Sequence, residues 1–342
     1  MNEALVNELR LICQETCIES ESSFRYREMT RSVSRQEGSQ LTPKDALVHE
    51  IGEVLYAKVY TRQDLIQERY PVSAQVNTDA EFIKQLHHAN HSRQSYEKSW
   101  RIYHIGADGR VSVHKGNRSR VALPGEYVRN KFTGDPPKLG DIVDLLVYPS
   151  SLELSPGFYF AFGQRLSDQF DEYALVRIYF HVEAEGAIQL LRVLSQSLNH
   201  YRVPYRFKCL NSPSEFKRAD AAVLYVSKRY FAMVSYVLED IYPELEGYLR
   251  VEIPMFCYPF KLGIGIADDS GTNESFGKQR CRLLARSLVE MWEKAIDDPD
   301  QRFEFLQKQF LDSGVSIHLP FMKKGASDIW FKDQLERGSS HV

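Results

Sequence analysis

The stretch VRIYFHV, residues 176–182, alternates with a period of two. Val176, Ile178, Phe180 and Val182 are apolar, whereas Arg177, Tyr179 and His181 are polar or ionisable. Strand side chains alternate between faces, so this run predicts a β-strand with one greasy face and one that carries a cation, a phenol and an imidazole. A second run repeats the pattern. In VPYRFKCL (203–210), Arg206 and Lys208 share one face, with Tyr205, Phe207 and Cys209 on the other. A solvated sheet face usually mixes acids with bases, but no acid interleaves with Arg177, His181, Arg206 or Lys208.

Around these runs the spacing predicts further strands near 142–148, 157–162 and 221–227, and helices near 185–200, 229–243, 275–296 and 300–313. The last helix stops at Gly314, in keeping with a glycine just past a helix end. Strands and helices alternate only loosely, which indicates α+β, with a mixed, largely antiparallel sheet flanked by helices. Towards the N-terminus, residues 3–17 and a segment opened by Thr42-Pro43 read as helices, with Thr42 as cap and Pro43 at the first position. Residues 79–99 also read as helical. The polar stretch 19–44 reads as a connector, and 100–116 as a hairpin about Asp108-Gly109. FTGDPPKLGDIVDLLVYP (132–149) is the candidate boundary. It separates a mainly helical N-terminal region with one hairpin (1–135), expected to dock a peptide or partner, from a second unit (139–331) and a tail (332–342).

The 342 residues carry a net charge of −3, so there is no bulk electrostatic case for nucleic acid or an anionic membrane. No apolar run reaches the roughly 18 residues of a membrane span, and the acid-bearing N-terminus does not resemble a signal peptide. Five cysteines without a paired metal-type motif fit reduced thiols in a cytoplasm. The expectation is a cytoplasmic protein.

Two further stretches carry chemistry. In SEFKRADAAVLYVSKRY (214–230), Arg218 precedes a strand bearing Tyr225, and a guanidinium there suits a phosphate. In GTNESFGKQRCRLLARSLV (271–289), Ser275 is a helix cap and Lys278, Arg280 and Arg282 crowd the first two turns. Cations are unfavourable at that end unless an anion is bound, although pairing with Glu274 or Asp269 would serve equally. GIGIA (263–267) lacks the third glycine of a dinucleotide fingerprint. His87, His88 and His91 allow a metal-hydrolase reading, but no supporting ligand motif accompanies them.

SPGFYFAFG, the run from Val176 to Val226, and GIGIADDSGTNESFGKQRCRLLARSLV together resemble the HopA family of type III effectors over about 139–331. Similar domains are the stand-alone lyase components of class V lanthipeptide synthesis. Shorter motifs are similar to those of the OspF/SpvC phosphothreonine lyases. In YFHV, His181 stands where that family has its acid histidine, and Tyr179 replaces its lysine. FKCL places Lys208 as the base candidate, and Arg218 and Tyr225 follow in the family's order. The resemblance implies a metal-independent lyase without cofactor, acting on a phosphorylated precursor peptide, with a separate peptide kinase as a further partner. It implies Lys208 and His181 as catalytic residues and Arg218 on the phosphate. Tyr179 leaves that phosphate cradle one cation short unless Arg280, Arg206 or Arg177 substitutes. The chemistry calls for Tyr225, Tyr179 or an arginine on the enolate. Arg206 would help keep Lys208 unprotonated by repulsion. The competing expectation is a non-catalytic module that binds a peptide or kinase.

Overall fold

The computed structural model describes residues 3–33, 42–64, 66, 79–116, 118–129, 135–165, 167, 171, 173–271, 274–326 and 329–332. Helix α1 (Glu3–Glu15) buries Leu9, Ile12 and Cys13 at helical spacing. The chain then turns directly into a three-stranded antiparallel meander, β1 (Thr16–Ser20), β2 (Ser23–Tyr26) and β3 (Met29–Ser32). This corrects the connector expected over 19–44, whose residues 34–41 lie outside the described ones. It also places Cys17 on a strand rather than a helix. Ile18, Phe24 and Tyr26 are the alternate residues that bury. The surrounding polar residues are the solvated half of a period of two, so composition alone resembles a loop.

Helix α2 (Pro43–Leu55) starts as its sequence predicts, with the Thr42 hydroxyl accepting from the Asp45 amide at 3.1 Å. It runs on into a wider π turn, Tyr56–Tyr60. Helix α3 (Asp79–Ala89) ends before His91. A second sheet contains β4 (Ser95–Ile105), β5 (Val111–Lys115), β6 (Arg118–Ala122), β7 (Tyr127–Arg129) and β8 (Ile142–Val147), in the order β6-β5-β4-β8-β7. Gly109 takes φ +80° at the β4–β5 turn, where a residue with a Cβ would be strained. The two edge strands β6 and β7 are joined by a tight turn in which the Glu126 amide donates to the Leu123 carbonyl. Joining opposite edges so closely curls the sheet around its own core of Trp100, Ile102, Val111, Val113 and Val143. The strand at 142–147, grouped by sequence with the following unit, belongs here and pairs with β4 and β7.

The main sheet follows: β9 (Ser150–Ser151), β10 (Phe158–Phe162), β11 (Leu175–Phe180), helix α4 (Ala184–His200), β12 (Tyr205–Leu210), β13 (Ala222–Ser227), helix α5 (Phe231–Leu245), β14 (Tyr258–Lys261) and β15 (Ile264–Asp268). Helices α6 (Phe276–Glu293) and α7 (Pro299–Asp312) complete it. The order is β14-β15-β11-β13-β12-β10-β9, with every described pairing antiparallel. The architecture is α+β. GIGIA is β15, a short buried strand beside β11. α7 ends with Gly314 at φ +78°, its amide on the Leu311 carbonyl.

One core joins this sheet to the N-terminal elements: Leu9, Phe24, Leu55 and Phe82 bury with Ile178, Leu194, Leu284 and Phe310. Each such side chain stabilises by about 1.5–3 kcal/mol when taken from water, so α1, α2 and α3 are part of the main body. Of the expected tail, only Lys332 is described. Among the described residues, no helix is long and apolar enough to cross a membrane.

Candidate functional site

Strand register decides which of the sequence-selected residues meet. Tyr225 of β13 lies opposite Arg177 on β11 and opposite Arg206 on β12. One row along, Val223 lies opposite Tyr179 and opposite Lys208. Directly opposed residues share a face, so Arg177, Tyr179, Arg206, Lys208 and Tyr225 project from the same side of the sheet. His181 follows Tyr179 by two residues and continues that face. The Arg177 and Arg206 guanidinium carbons stand 5.4 and 4.6 Å from the Tyr225 ring centre, so the ring lies between two cations.

This face is covered. The π turn after α2 and the start of α6 pack on it, with Tyr60 edge-on to Tyr179 at 6.4 Å and Phe276 at 6.5 Å. The polar face predicted at 176–182 is therefore buried along with the apolar one almost throughout, because β11 is central in the sheet. Tyr179 is 3% exposed, and burial pushes its pKa up, so it remains a neutral phenol.

His181 is also buried. Its Nδ1 lies 2.9 Å from the Glu252 backbone carbonyl. A carbonyl only accepts, so Nδ1 carries the hydrogen and Nε2 the lone pair. Burial pushes the imidazole down to about 4, against the bond to the Glu252 carbonyl and its side-chain charge. At neutral pH His181 is an uncharged imidazole.

Arg218 lies in the segment between β12 and β13, which is pinned to the π turn by the Ala219 amide on the Thr61 carbonyl. Its Nε and one terminal nitrogen donate to the two Asp220 oxygens at 2.5 and 2.8 Å, and the same terminal nitrogen donates to the Tyr56 hydroxyl at 2.9 Å. The Tyr56 hydroxyl in turn donates to Asp220. Burial pushes the Asp220 carboxyl up, but the charge and hydrogen bonds of Arg218, aided by Lys208 and Tyr56, hold it below the usual carboxylate value. The two-nitrogen fork expected for a phosphate is thus spent on Asp220, which leaves the other terminal nitrogen of Arg218. Asp220, Tyr56, Tyr60 and Glu252 were not singled out from sequence. Their only sequence signal is that Asp220 stands two residues from Arg218.

Arg177 is paired with Asp269 at 2.8 Å. Lys208 is half-buried, with its ammonium 4.3 Å from the Phe158 ring centre. Neither Lys208 nor Arg206 makes an ion pair within hydrogen-bond range among the described residues. They are the cations on this face without a direct counter-ion.

Arg280 does not join them. It is 2% exposed and donates to the carbonyls of Pro320 and Met322 and to Gln279 Oε1, with its guanidinium over Phe276. Burial brings its pKa down to about 10. It ties the C-terminal segment to α6. The crowding of cations at the start of α6 has local partners: Lys278 binds Glu53 and Arg282 binds Glu274. His87 contacts the hydroxyls of Tyr159 and Ser150. Among the described residues, no group of three or more His, Cys, Asp or Glu is placed to hold a metal ion.

A cleft of about 880 Å³ separates the curled sheet from the main one, lined by Arg120, Glu126, Leu152, Leu154 and Arg165, among others. Of the residues proposed for catalysis or phosphate binding, Arg206 borders it, as does His87 of the metal-hydrolase reading.

Fold and site together define an α+β protein built on a seven-stranded antiparallel sheet whose covered face carries a cluster of arginines, lysine, histidine and tyrosines. The chain belongs to the HopA1 effector protein family, whose sequence profile matches residues 150–322. Two solved effector structures are similar at 15% identity. The one from Pseudomonas syringae pv. tomato strain DC3000 has a TM-score of 0.42 and aligns over 80% of this chain and 95% of its own. The one from Pseudomonas syringae pv. syringae strain 61 has a TM-score of 0.43 and aligns over 81% and 96%. No curated protein matches the sequence.

Proposed function

We propose that the protein is a phosphoserine/phosphothreonine lyase that eliminates phosphate from a phosphorylated peptide, leaving dehydroalanine or dehydrobutyrine, in lanthipeptide biosynthesis. The observation that carries this reading is the register: Lys208 and Tyr179 flank Val223 in one row, with the Arg177–Tyr225–Arg206 row beside it and His181 on the same face. In this scheme Lys208 removes the Cα proton. That electron pair forms the Cα–Cβ double bond, the Cβ–O bond breaks, and the departing phosphate takes a proton from His181. Arg206 and the remaining nitrogen of Arg218 meet the phosphate, and Tyr225 supports the developing enolate.

His181 is neutral in the free protein, so it serves as acid only once protonated. A phosphate dianion arriving beside it favours the charged form and supplies the reason. Asp220 has a related role, since its carboxylate holds Arg218 in place before substrate arrives. The cleft that reaches Arg206 offers room for the rest of an extended peptide. A separate kinase would supply the phosphorylated substrate.

A non-catalytic peptide- or kinase-binding module is the second reading. It draws support from the pairing of Arg177 with Asp269 and of Arg218 with Asp220, which leaves fewer free cations for a phosphate. Incubation with phosphoserine and phosphothreonine peptides, followed by intact mass, separates the two. Loss of one phosphoric acid in the wild type, reduced by about 10²–10⁴-fold in Lys208→Ala and His181→Ala, establishes the lyase. Binding of phosphopeptide without mass loss, undiminished in Lys208→Ala, overturns it in favour of the module.

A further inference from the structure

Helix α6 carries more basic groups than its pairings account for. Lys278 is taken by Glu53, Arg282 by Glu274 and Arg280 by backbone carbonyls. Arg286 remains, one helical turn beyond Arg282, and among the described residues it makes neither an ion pair nor a side-chain hydrogen bond. Lys324, on the segment that follows α7, is in the same position. Both border a hollow of about 290 Å³ between α6 and residues 313–324, together with Arg280, Arg282, Gln279 and Ser313. Four cationic side chains line it and no carboxylate does.

Arg286 lies one turn from Arg282, where like charges repel, and Lys324 adds a further positive group to the hollow. A bound anion removes that repulsion. We propose that this hollow binds a small oxyanion of the phosphate type. Arginine forks match the geometry of phosphate oxygens and make charge-assisted hydrogen bonds to them. An anion with several acceptor oxygens suits donors arriving from both α6 and the 313–324 segment. The volume lies at the lower limit of small-molecule sites, about 300 Å³, which favours a single phosphoryl-sized group over a nucleotide. The site uses neither Lys208 nor His181 and stands whether or not the lyase reading does.

Inorganic phosphate is titrated into the full chain at low ionic strength by calorimetry, with sodium chloride at matched ionic strength as control. Wild type and Lys208→Ala should both show a saturable phosphate event. The double variant Arg286→Gln/Lys324→Gln should weaken that event at least tenfold. Both side chains are exposed, so the variant should retain the wild-type unfolding midpoint in chloride. A double variant that binds phosphate like wild type, or a chloride control that reproduces the signal, overturns the proposal. A phosphoserine peptide added in competition identifies the source of the anion: displacement points to a peptide-borne phosphoryl group, and its failure to free phosphate, each in support of the oxyanion site.

Discussion

Arg218 closes a two-point pair on Asp220, and the Tyr56 hydroxyl touches both partners. The pair is local in sequence, but its surroundings are not, because Tyr56 comes from the π turn after α2. Removing one charge leaves the other partly buried and uncompensated. Asp220→Asn keeps the shape and should cost about 3 kcal/mol, whereas Tyr56→Phe should cost about 1 kcal/mol. Urea unfolding checks both, and equal costs for the two would contradict this account.

His181 links stability to pH. Its folded pKa is about 4 against an ordinary 6.5, because burial disfavours the imidazolium. The unfolded chain therefore binds more protons between those values. Stability from this group is fully present above about pH 6.5 and is lost as pH falls towards 4, by about 3 kcal/mol in all. Comparison of wild type with His181→Asn by denaturant unfolding between pH 7 and 4.5 should show a shallower pH dependence in the variant.

Arg280 and Arg206 should behave oppositely. Arg280→Met removes the donors to the Pro320 and Met322 carbonyls inside the core and should destabilise by about 3 kcal/mol. Elimination from phosphopeptides should persist at temperatures where that variant is folded. Arg206→Gln should leave stability within about 1 kcal/mol and lower activity. Paired unfolding and mass-spectrometric assays decide between these patterns.

Gly277 lies in the second position of α6, where an added Cβ would fall 2.3 Å from the Tyr60 ring. Tyr60 is itself buried against Tyr179 and Phe276 and has little room to retreat. Gly277→Ala should cost about 1–3 kcal/mol by overpacking, although alanine favours a helix. A thermal midpoint at or above the wild-type value would show that Tyr60 can move.

The shared core also bears on how the N-terminal region can be tested. Deleting residues 1–130 would remove Leu9, Phe24, Leu55 and Phe82 from beside the main sheet. Such a deletion should unfold the remainder, readable as loss of the cooperative transition. Substitutions at Leu152 and Leu154 in the cleft test peptide docking without that cost.

Much of the main sheet was legible in the sequence. The strands at 158–162, 205–210 and 222–227 fall within a residue of their predicted spans, and that at 175–180 lies inside its predicted span of 174–183 but stops three residues earlier, because period-two alternation is local and the flanking turns are marked. The meander at 16–32 escaped notice because its strands are short and mostly polar. The pair β14 and β15 escaped because glycine and proline obscure their pattern.

The sequence by itself determined the α+β class, the cap of α2 and the faces on which Arg177, Tyr179, His181, Arg206 and Lys208 lie. These follow from bonding and sterics within a few residues. Only the tertiary structure decided which of them meet. Register across β11, β13 and β12 set Tyr225 between two arginines, and packing of the π turn gave Arg218 to Asp220 and Tyr56. Arg280, alike in sequence to the other candidates, went to backbone carbonyls because the C-terminal segment folds across α6. A charged side chain taken from water must find a partner, and which partner is in reach depends on chain distant in sequence.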